Sequence, residues 1–392
     1  MIFHNARLVF SDGIRDGLDL ETHEGKITEI REQTCAREKD IVDLGGNYLA
    51  PGFIDLHLHG ALGRDTMEAS AEAFQTICDY HASGGTTSLL LTTAAAPMDR
   101  IVDVLNAVRD CHQRRARRWR PTAQIAGVHV EGPFISKAKC GAQRAEFIQD
   151  PSPAAVRQLL DHADLIKRVT IAPELPGALE AIENFDAHGI SVSGGHSDAW
   201  DENAQAAFAR GMRSVTHTFN CMSSARRRGI YRVGGLLEFA LSEPHISCEL
   251  IADGHHASAT LMKMLYHAKG ARGICLVTDA TAGAGLPDGS RFSLFGRDCV
   301  VENGACLLAD RSALAGSASR MIDLVRMLVH AAEVPLHEVL AMATENPARA
   351  IGVETKGRLT VGADADFVVL SQQLDVLRTF SGGEEIFSLE KK

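Results

Sequence analysis

From residue 53 onward, short runs of apolar residues alternate with stretches whose apolar positions recur every three or four residues. The runs cover 53–60, 87–94, 126–134, 169–174, 190–197, 214–222, 247–254 and 273–280. Helix-like periodicity fills the intervals, as at 71–83, 99–111, 178–188 and 202–210. Near-continuous apolar runs of this length read as strands buried on both faces. Eight alternations predict an α/β protein, a closed parallel (β/α)8 barrel of the TIM type. An open doubly wound sheet is the structural alternative, but no Gly-x-Gly-x-x-Gly follows the first run. Barrel helices are expected to continue over 319–333 and 335–343, the second ending before Pro347.

The flanks have another pattern. Short strand candidates lie at 1–10, 18–22 and 26–30, and a further pair at 357–370 is split by Gly362-Ala363-Asp364. Both chain ends are therefore expected to form a small β-sandwich-like domain (1–50 and 355–392), with the barrel (51–354) inserted between them. Residues 291–309 read as a β-hairpin excursion, with Glu302-Asn303-Gly304 as its turn.

Composition narrows the function classes. The chain has 392 residues, 45% of them hydrophobic, which suits a large folded core. Its formal net charge of -10 argues against binding nucleic acid through phosphate contacts. Arg114, Arg115, Arg117, Arg118 and Arg120 surround Trp119, and read as a solvated helix end. Residues 1–10 lack the apolar core of a signal peptide, and no run reaches the roughly 18 apolar residues of a membrane span. The nine cysteines are irregularly spaced without Cys-x-x-Cys, so neither a disulfide framework nor a thiolate zinc cluster is expected. These features point to a cytoplasmic protein without membrane or nucleic-acid partners.

Polar residues collect at the ends of the apolar runs, where such barrels carry their chemistry. His57 and His59 are two apart and share a face of the first strand. Glu131 ends the third run, His196 the fifth, His217 lies in the sixth and Asp279 in the eighth. Four imidazoles and two carboxylates at one end of a barrel are costly to bury unless paired or metal-bound. Donors of this kind, without thiolate, suit zinc, and also iron, manganese, cobalt or nickel. His129 shares a face with Glu131 and stays outside this ligand set. A serine hydrolase is disfavoured, because no run is followed by Gly-x-Ser-x-Gly.

Several motifs carry a resemblance. They are 51–60 (Pro-Gly-Phe-Ile-Asp-Leu-His-Leu-His-Gly), His129-Val130-Glu131-Gly132-Pro133-Phe134, Gly195-His196-Ser197 and His217-Thr218-Phe219-Asn220-Cys221-Met222. Ala252-Asp253-Gly254 before His256, Thr278-Asp279-Ala280 and Leu314-Ala315-Gly316-Ser317 extend the set. The chain resembles the amidohydrolase superfamily and, within it, the N-acetylglucosamine-6-phosphate deacetylase family. The resemblance implies that Glu131, His196 and His217 hold the main metal. With His57 and His59 retained, it implies a two-ion variety bridged by Glu131. Asp279 becomes the catalytic carboxylate, which takes a proton from water and delivers it to the leaving nitrogen. Ala142, Gln143, Asn220, Cys221 and His256 become substrate contacts. Arg228 becomes a phosphate contact reaching a neighbouring subunit, hence a homodimer.

Two segments depart from the family pattern. Lys139-Cys140-Gly141-Ala142-Gln143 has Gln143 where the family has histidine, so an amide stands where an imidazole could carry charge. Arg226-Arg227-Arg228-Gly229-Ile230-Tyr231-Arg232 lacks the Glu-Pro-Gly or Asp-Pro-Gly after the arginine. These departures keep other readings open: a deacetylase of another N-acylated amino sugar, another amidohydrolase activity, or an inactive homologue. Cleavage of N-acetylglucosamine 6-phosphate to glucosamine 6-phosphate and acetate is the leading expectation.

Overall fold

The computed structural model describes residues 1–33, 41–118 and 120–391, without the side chains of 114–118 and 391. Cys35 and Trp119, and the side chains of Arg114, Arg115, Arg117 and Arg118, lie outside the described residues. Arg120, just past the helix Met98–Arg118, is exposed and donates to Asp79 (2.8 Å).

Eight parallel strands form the barrel. They are β1 (Phe53–Leu58), β2 (Thr86–Thr92), β3 (Gln124–Glu131), β4 (Ile166–Ile171), β5 (Ser191–Gly194), β6 (Met212–Val215), β7 (Ser247–Leu250) and β8 (Ile274–Leu276). Each pairs with the next in parallel register. The ring closes beyond the short β8, where Asp279 N–H donates to the His57 carbonyl (2.8 Å) and His59 N–H to the Ala280 carbonyl (2.7 Å). A buried Asp55 completes the seam by accepting from the Thr278 hydroxyl (2.6 Å). Closure thus brings the first and eighth runs, with their site candidates, side by side.

Helices cover the barrel because their starts are capped and one face is apolar. Ser70 accepts from Ala73 N–H (3.2 Å) at the head of Ala71–Ala82, which buries Phe74, Ile77 and Cys78. Helix Leu336–Ala343 stops short of Pro347, as expected, but a separate helix, Glu345–Ala350, holds the proline in its first turn. There a missing N–H costs nothing.

Both chain ends build the second sheet, in the order Glu384–Ser388, Val376–Ser381, Phe367–Leu370, Tyr48–Pro51, Ile2–Phe10, Gly13–His23, Lys26–Glu32. Ile41–Asp43 pairs alongside Ile2–Phe10. The sheet curls until Ala365 N–H donates to Gly25 O (2.8 Å) and Ile27 N–H to Ala363 O (2.9 Å). Phe3 fills the fold, edge-on to Phe367 (5.2 Å) and Phe380 (5.1 Å). Only half of the expected 357–370 pair is strand. Residues 362–365 spend their backbone groups on the 25–27 turn, and Phe367–Leu370 finds its partners in 48–51 and 376–381.

The 291–309 excursion is larger than a hairpin. Four antiparallel strands occur, Arg291–Leu294, Arg297–Glu302, Ala305–Leu308 and Leu314–Ser317. Asn303-Gly304 makes the expected turn, both residues at positive φ (53° and 74°). A second such turn, Phe295-Gly296 (53° and 79°), carries no sequence signal at its first position. Among the described residues, no helix is long and apolar enough to cross a membrane.

Candidate active site

The strands are shorter than the apolar runs, so most site residues sit just past strand ends. His59, His196, His217 and Asp279 lie on the loops after β1, β5, β6 and β8, while His57 and Glu131 remain within β1 and β3. His196, His217 and Asp279 adopt positive φ (46°, 29° and 47°). Such backbone is uncommon outside glycine, is best tolerated by residues such as Asp and His, and concentrates at functional sites. It turns the three side chains back over the barrel mouth.

Glu131 is the hub. Its Oε1 lies 3.3 Å from His57 Nε2 and 3.2 Å from both His196 Nε2 and His217 Nε2. Its Oε2 lies 3.3 Å from His59 Nε2. Asp279 Oδ1 stands 3.5 Å from His57 Nε2 and 3.3 Å from His59 Nε2. Two trios able to hold a metal ion result, His57–His59–Glu131 and Glu131–His196–His217, sharing the carboxylate. All six residues are at most 9% exposed.

Three imidazoles are fixed from behind. His57 Nδ1 faces Glu249 Oε2 (3.1 Å), His59 Nδ1 the Thr92 carbonyl (3.2 Å) and His196 Nδ1 the Lys139 carbonyl (2.8 Å). An oxygen acceptor at Nδ1 selects the Nδ1–H tautomer, which turns an Nε2 lone pair into the cluster. His196 Nε2 and His217 Nε2 are then only 3.0 Å apart. Neither His57 Nε2 nor Glu131 Oε1 has a hydrogen-bond partner, although both are buried. Lone pairs converging at 3.0–3.5 Å match the edge of a tetrahedron, about 3.3 Å, drawn around a cation with ligand bonds of about 2.0–2.1 Å. The donor set therefore fits a divalent ion.

Electrostatics agree. Burial alone would raise the Glu131 carboxyl, but His57 and His196 hold it well below the usual range. Burial opposes a charged His59, yet hydrogen bonds to Asp279 and Glu131 push it up to about 9. Asp279 would likewise be raised by burial, and His57 and His59 keep it low. Carboxylates and imidazoles thus stabilise one another's charged forms, and a cation could take the place of the imidazole protons.

The substrate candidates are placed unevenly. A cavity of about 240 Å³ over the cluster is lined by Ala142, Gln143, Asn220, Cys221 and His256. Gln143 is pinned on both sides: its amide donates to Glu131 Oε2 (2.7 Å) and its oxygen accepts from Ala95 N–H (2.8 Å). His256 Nδ1 is held by Asp253 Oδ2 (2.7 Å), and His255 is exposed. Arg228 does not line this cavity. It lies on an exposed hairpin (Arg226–Arg228 with Tyr231–Val233) and makes two bonds to Glu202 (2.6 and 2.8 Å). His129 bonds Thr170 (2.8 Å) and stacks edge-on against His57 (4.6 Å), outside both trios.

Residues 48–386 match the model of the amidohydrolase family. The chain belongs to that family. The amidohydrolase is 35% identical to N-acetylglucosamine-6-phosphate deacetylase of Lysinibacillus sphaericus, over 98% of this chain and 97% of the relative. It is 31% identical to N-acetylgalactosamine-6-phosphate deacetylase of Escherichia coli O157:H7, over 98% of each. The crystal structure of N-acetylglucosamine-6-phosphate deacetylase from Pasteurella multocida superposes with a TM-score of 0.91 at 32% identity, covering 98% of both chains. The amidohydrolase is thus a hydrolytic enzyme acting on an amide, of a metal-dependent family.

Sequence reasoning missed the support beneath the cluster. Arg168 on β4 is fully buried, and its Nε lies 2.9 Å from Glu249 Oε1 on β7. Glu249 Oε2 also accepts the His217 backbone N–H (3.1 Å), besides facing His57. Burial would raise Glu249, but Arg168 and then His57 hold it down at about 2. The available signal was Glu249 inside the apolar run of β7; Arg168, beside Lys167 and just before the run of β4, gave none. Glu249→Gln should weaken divalent-ion affinity by about 10–100-fold, read by competition with a chelator. Unchanged affinity would show that Glu249 does not orient His57.

Proposed function

We propose that this amidohydrolase hydrolyses the acetamide of N-acetylglucosamine 6-phosphate, giving glucosamine 6-phosphate and acetate. The observation that carries the reading is Asp279 beside the Glu131-centred imidazoles, at the floor of a cavity lined by Asn220 and His256. Relatives named as deacetylases of 6-phosphorylated N-acetylamino sugars, matched over nearly the whole chain, support it. Their names include both epimers, so N-acetylgalactosamine 6-phosphate is the second reading.

His196, His217 and Glu131 would hold one divalent ion, and His57, His59 and Glu131 a second. Zinc suits the donors and their spacing. A cation held there supplies Lewis acidity toward water and toward the amide carbonyl. Asp279, kept as a carboxylate by His57 and His59, accepts a proton from the attacking water. As the C–N bond breaks, Asp279 returns that proton to the nitrogen, which leaves as an amine. Gln143 steadies Glu131 and keeps one N–H for the substrate carbonyl. Asn220, the backbone at Ala142 and Cys221, and His256 would hold the sugar.

We also infer a cytoplasmic homodimer that packs through the arginine hairpin. Its tip exposes Ile230 (81%) and Tyr231 (70%), large apolar side chains that suit a partner surface. Arg226, over the Trp200 ring at 4.1 Å, holds the hairpin's base. In a dimer, Arg228 would exchange Glu202 for a substrate phosphate in the partner's site.

Acetate release across N-acetylated glucosamine and galactosamine, with and without 6-phosphate, tests the activity; no release from either phosphorylated sugar would end this reading. Asp279→Asn should retain bound metal and lose about 10²–10⁴-fold in kcat. Asp253 raises the His256 imidazole, against the effect of burial, so the charged donor persists above about 6.5. KM should therefore climb as pH rises through that raised pKa, and Asp253→Asn should move the rise to lower pH. Ile230→Asp with Tyr231→Ser should give a monomer by light scattering with a raised KM. A dimer that survives these changes would place the interface elsewhere.

A further inference from the structure

A second cavity adjoins the first. It measures about 710 Å³, against about 240 Å³ over the cluster. Ala95, Pro97, Phe147, Leu286 and Phe292 give it apolar walls, and Arg100, Arg144 and Arg291 also line it. Among the described residues, Phe295 is the one side chain that lines both cavities. Its ring stands edge-on to His59, with centroids 5.2 Å apart. The Gln143–Ala95 hydrogen bond runs beside it, joining a residue of the smaller cavity to one of the larger.

Phe295 occupies its position against local preference. It is the first residue of a two-residue turn at φ 53°, where asparagine, aspartate or glycine is favoured and a bulky side chain is an outlier. The neighbouring turn in the same sheet follows the preference, with Asn303 at φ 53°. Broken local rules of this kind mark places where a side chain serves something other than the fold.

The two cavities lie on defined sides of the barrel mouth. Loops after β1, β2 and β3 line the larger one, through Gly63–Glu68, Ala94–Arg100 and Arg144–Phe147, and the excursion after β8 closes it through Leu286, Arg291–Ser293 and Phe295-Gly296. Asn220 and Cys221 follow β6, and His256 follows β7. In a ring of eight, β2 faces β6 and β3 faces β7. A sugar held by Asn220 and His256 therefore has the larger cavity across the metal cluster from it. A trans amide sends its acyl carbon chain away from the sugar carbon on nitrogen. A sugar so held would turn its acyl chain toward the Phe295 side of the pocket.

We propose that Phe295 sets acyl-chain length, holding the enzyme to acetyl groups by closing off a cavity that would take the chain of longer N-acyl amino sugars. The proposal rests on the deacetylase reading and deepens it. The probes are N-acetyl- and N-butyrylglucosamine 6-phosphate, with metal-loaded wild type, Phe295→Ala and the milder Phe295→Leu. Wild type should strongly prefer the acetyl substrate. The ratio of kcat/KM for butyryl over acetyl should rise at least 10-fold in Phe295→Ala, and by less in Phe295→Leu. A fold defect lowers both substrates together and leaves the ratio alone, so the ratio isolates the gate. Wild type active on the acetyl sugar, with an unchanged ratio in both variants, would overturn the gate alone. Wild type inert on both substrates would overturn the deacetylase reading and the gate with it.

Discussion

A carboxylate stripped of water and faced by imidazole nitrogens is the interaction on which the rest of this structure turns. Glu131 is 2% exposed, and an ion so placed is stable only when its charge is answered. Four histidines from three separate strand ends answer it, each contributing an Nε2 within 3.3 Å. Backing contacts at three of the four Nδ1 atoms keep the rings from turning away. The Arg168–Glu249 pair extends this logic inward. It places a second buried charge behind the first ring of donors, where the barrel interior is otherwise sealed.

The barrel and the six clustered residues were legible because both leave periodic traces. Buried parallel strands need unbroken apolar runs, and polar residues at the ends of such runs stand out. Where the period fails, so does the reading. Arg168 lies just before the apolar run that marks β4, and Glu249 looks like an ordinary interruption of β7. The strands Val376–Ser381 and Glu384–Ser388 were missed because they cover one side of a curled sheet and carry mixed residues. Phe295 was invisible for the opposite reason: an aromatic residue advertises a strand, and here it forms a turn.

The two departures from the family pattern have different physical weight. Gln143 is held at both ends of its amide, so that wall of the pocket is firm. The arginine hairpin is held by its arginines, Arg226 against Trp200 and Asp198, and Arg228 against Trp200 and Glu202. Its tip presents Ile230 and Tyr231 to water, which makes this the part of the surface least satisfied by the single chain.

The small sheet has a bearing on how the centre is assembled. Tyr48–Pro51 leads through Gly52 directly into β1, and is pinned by antiparallel pairing to Phe367–Leu370. The strand that delivers His57 and His59 is therefore anchored by a segment made long after it. During synthesis on the ribosome, Ile2–Phe10 and Thr86–Thr92 are available early to flank this stretch, but its third neighbour emerges only when the polypeptide is almost complete. Nascent chains stalled before residue 367 would carry every imidazole of the cluster yet lack one of the strands that hold two of them in register.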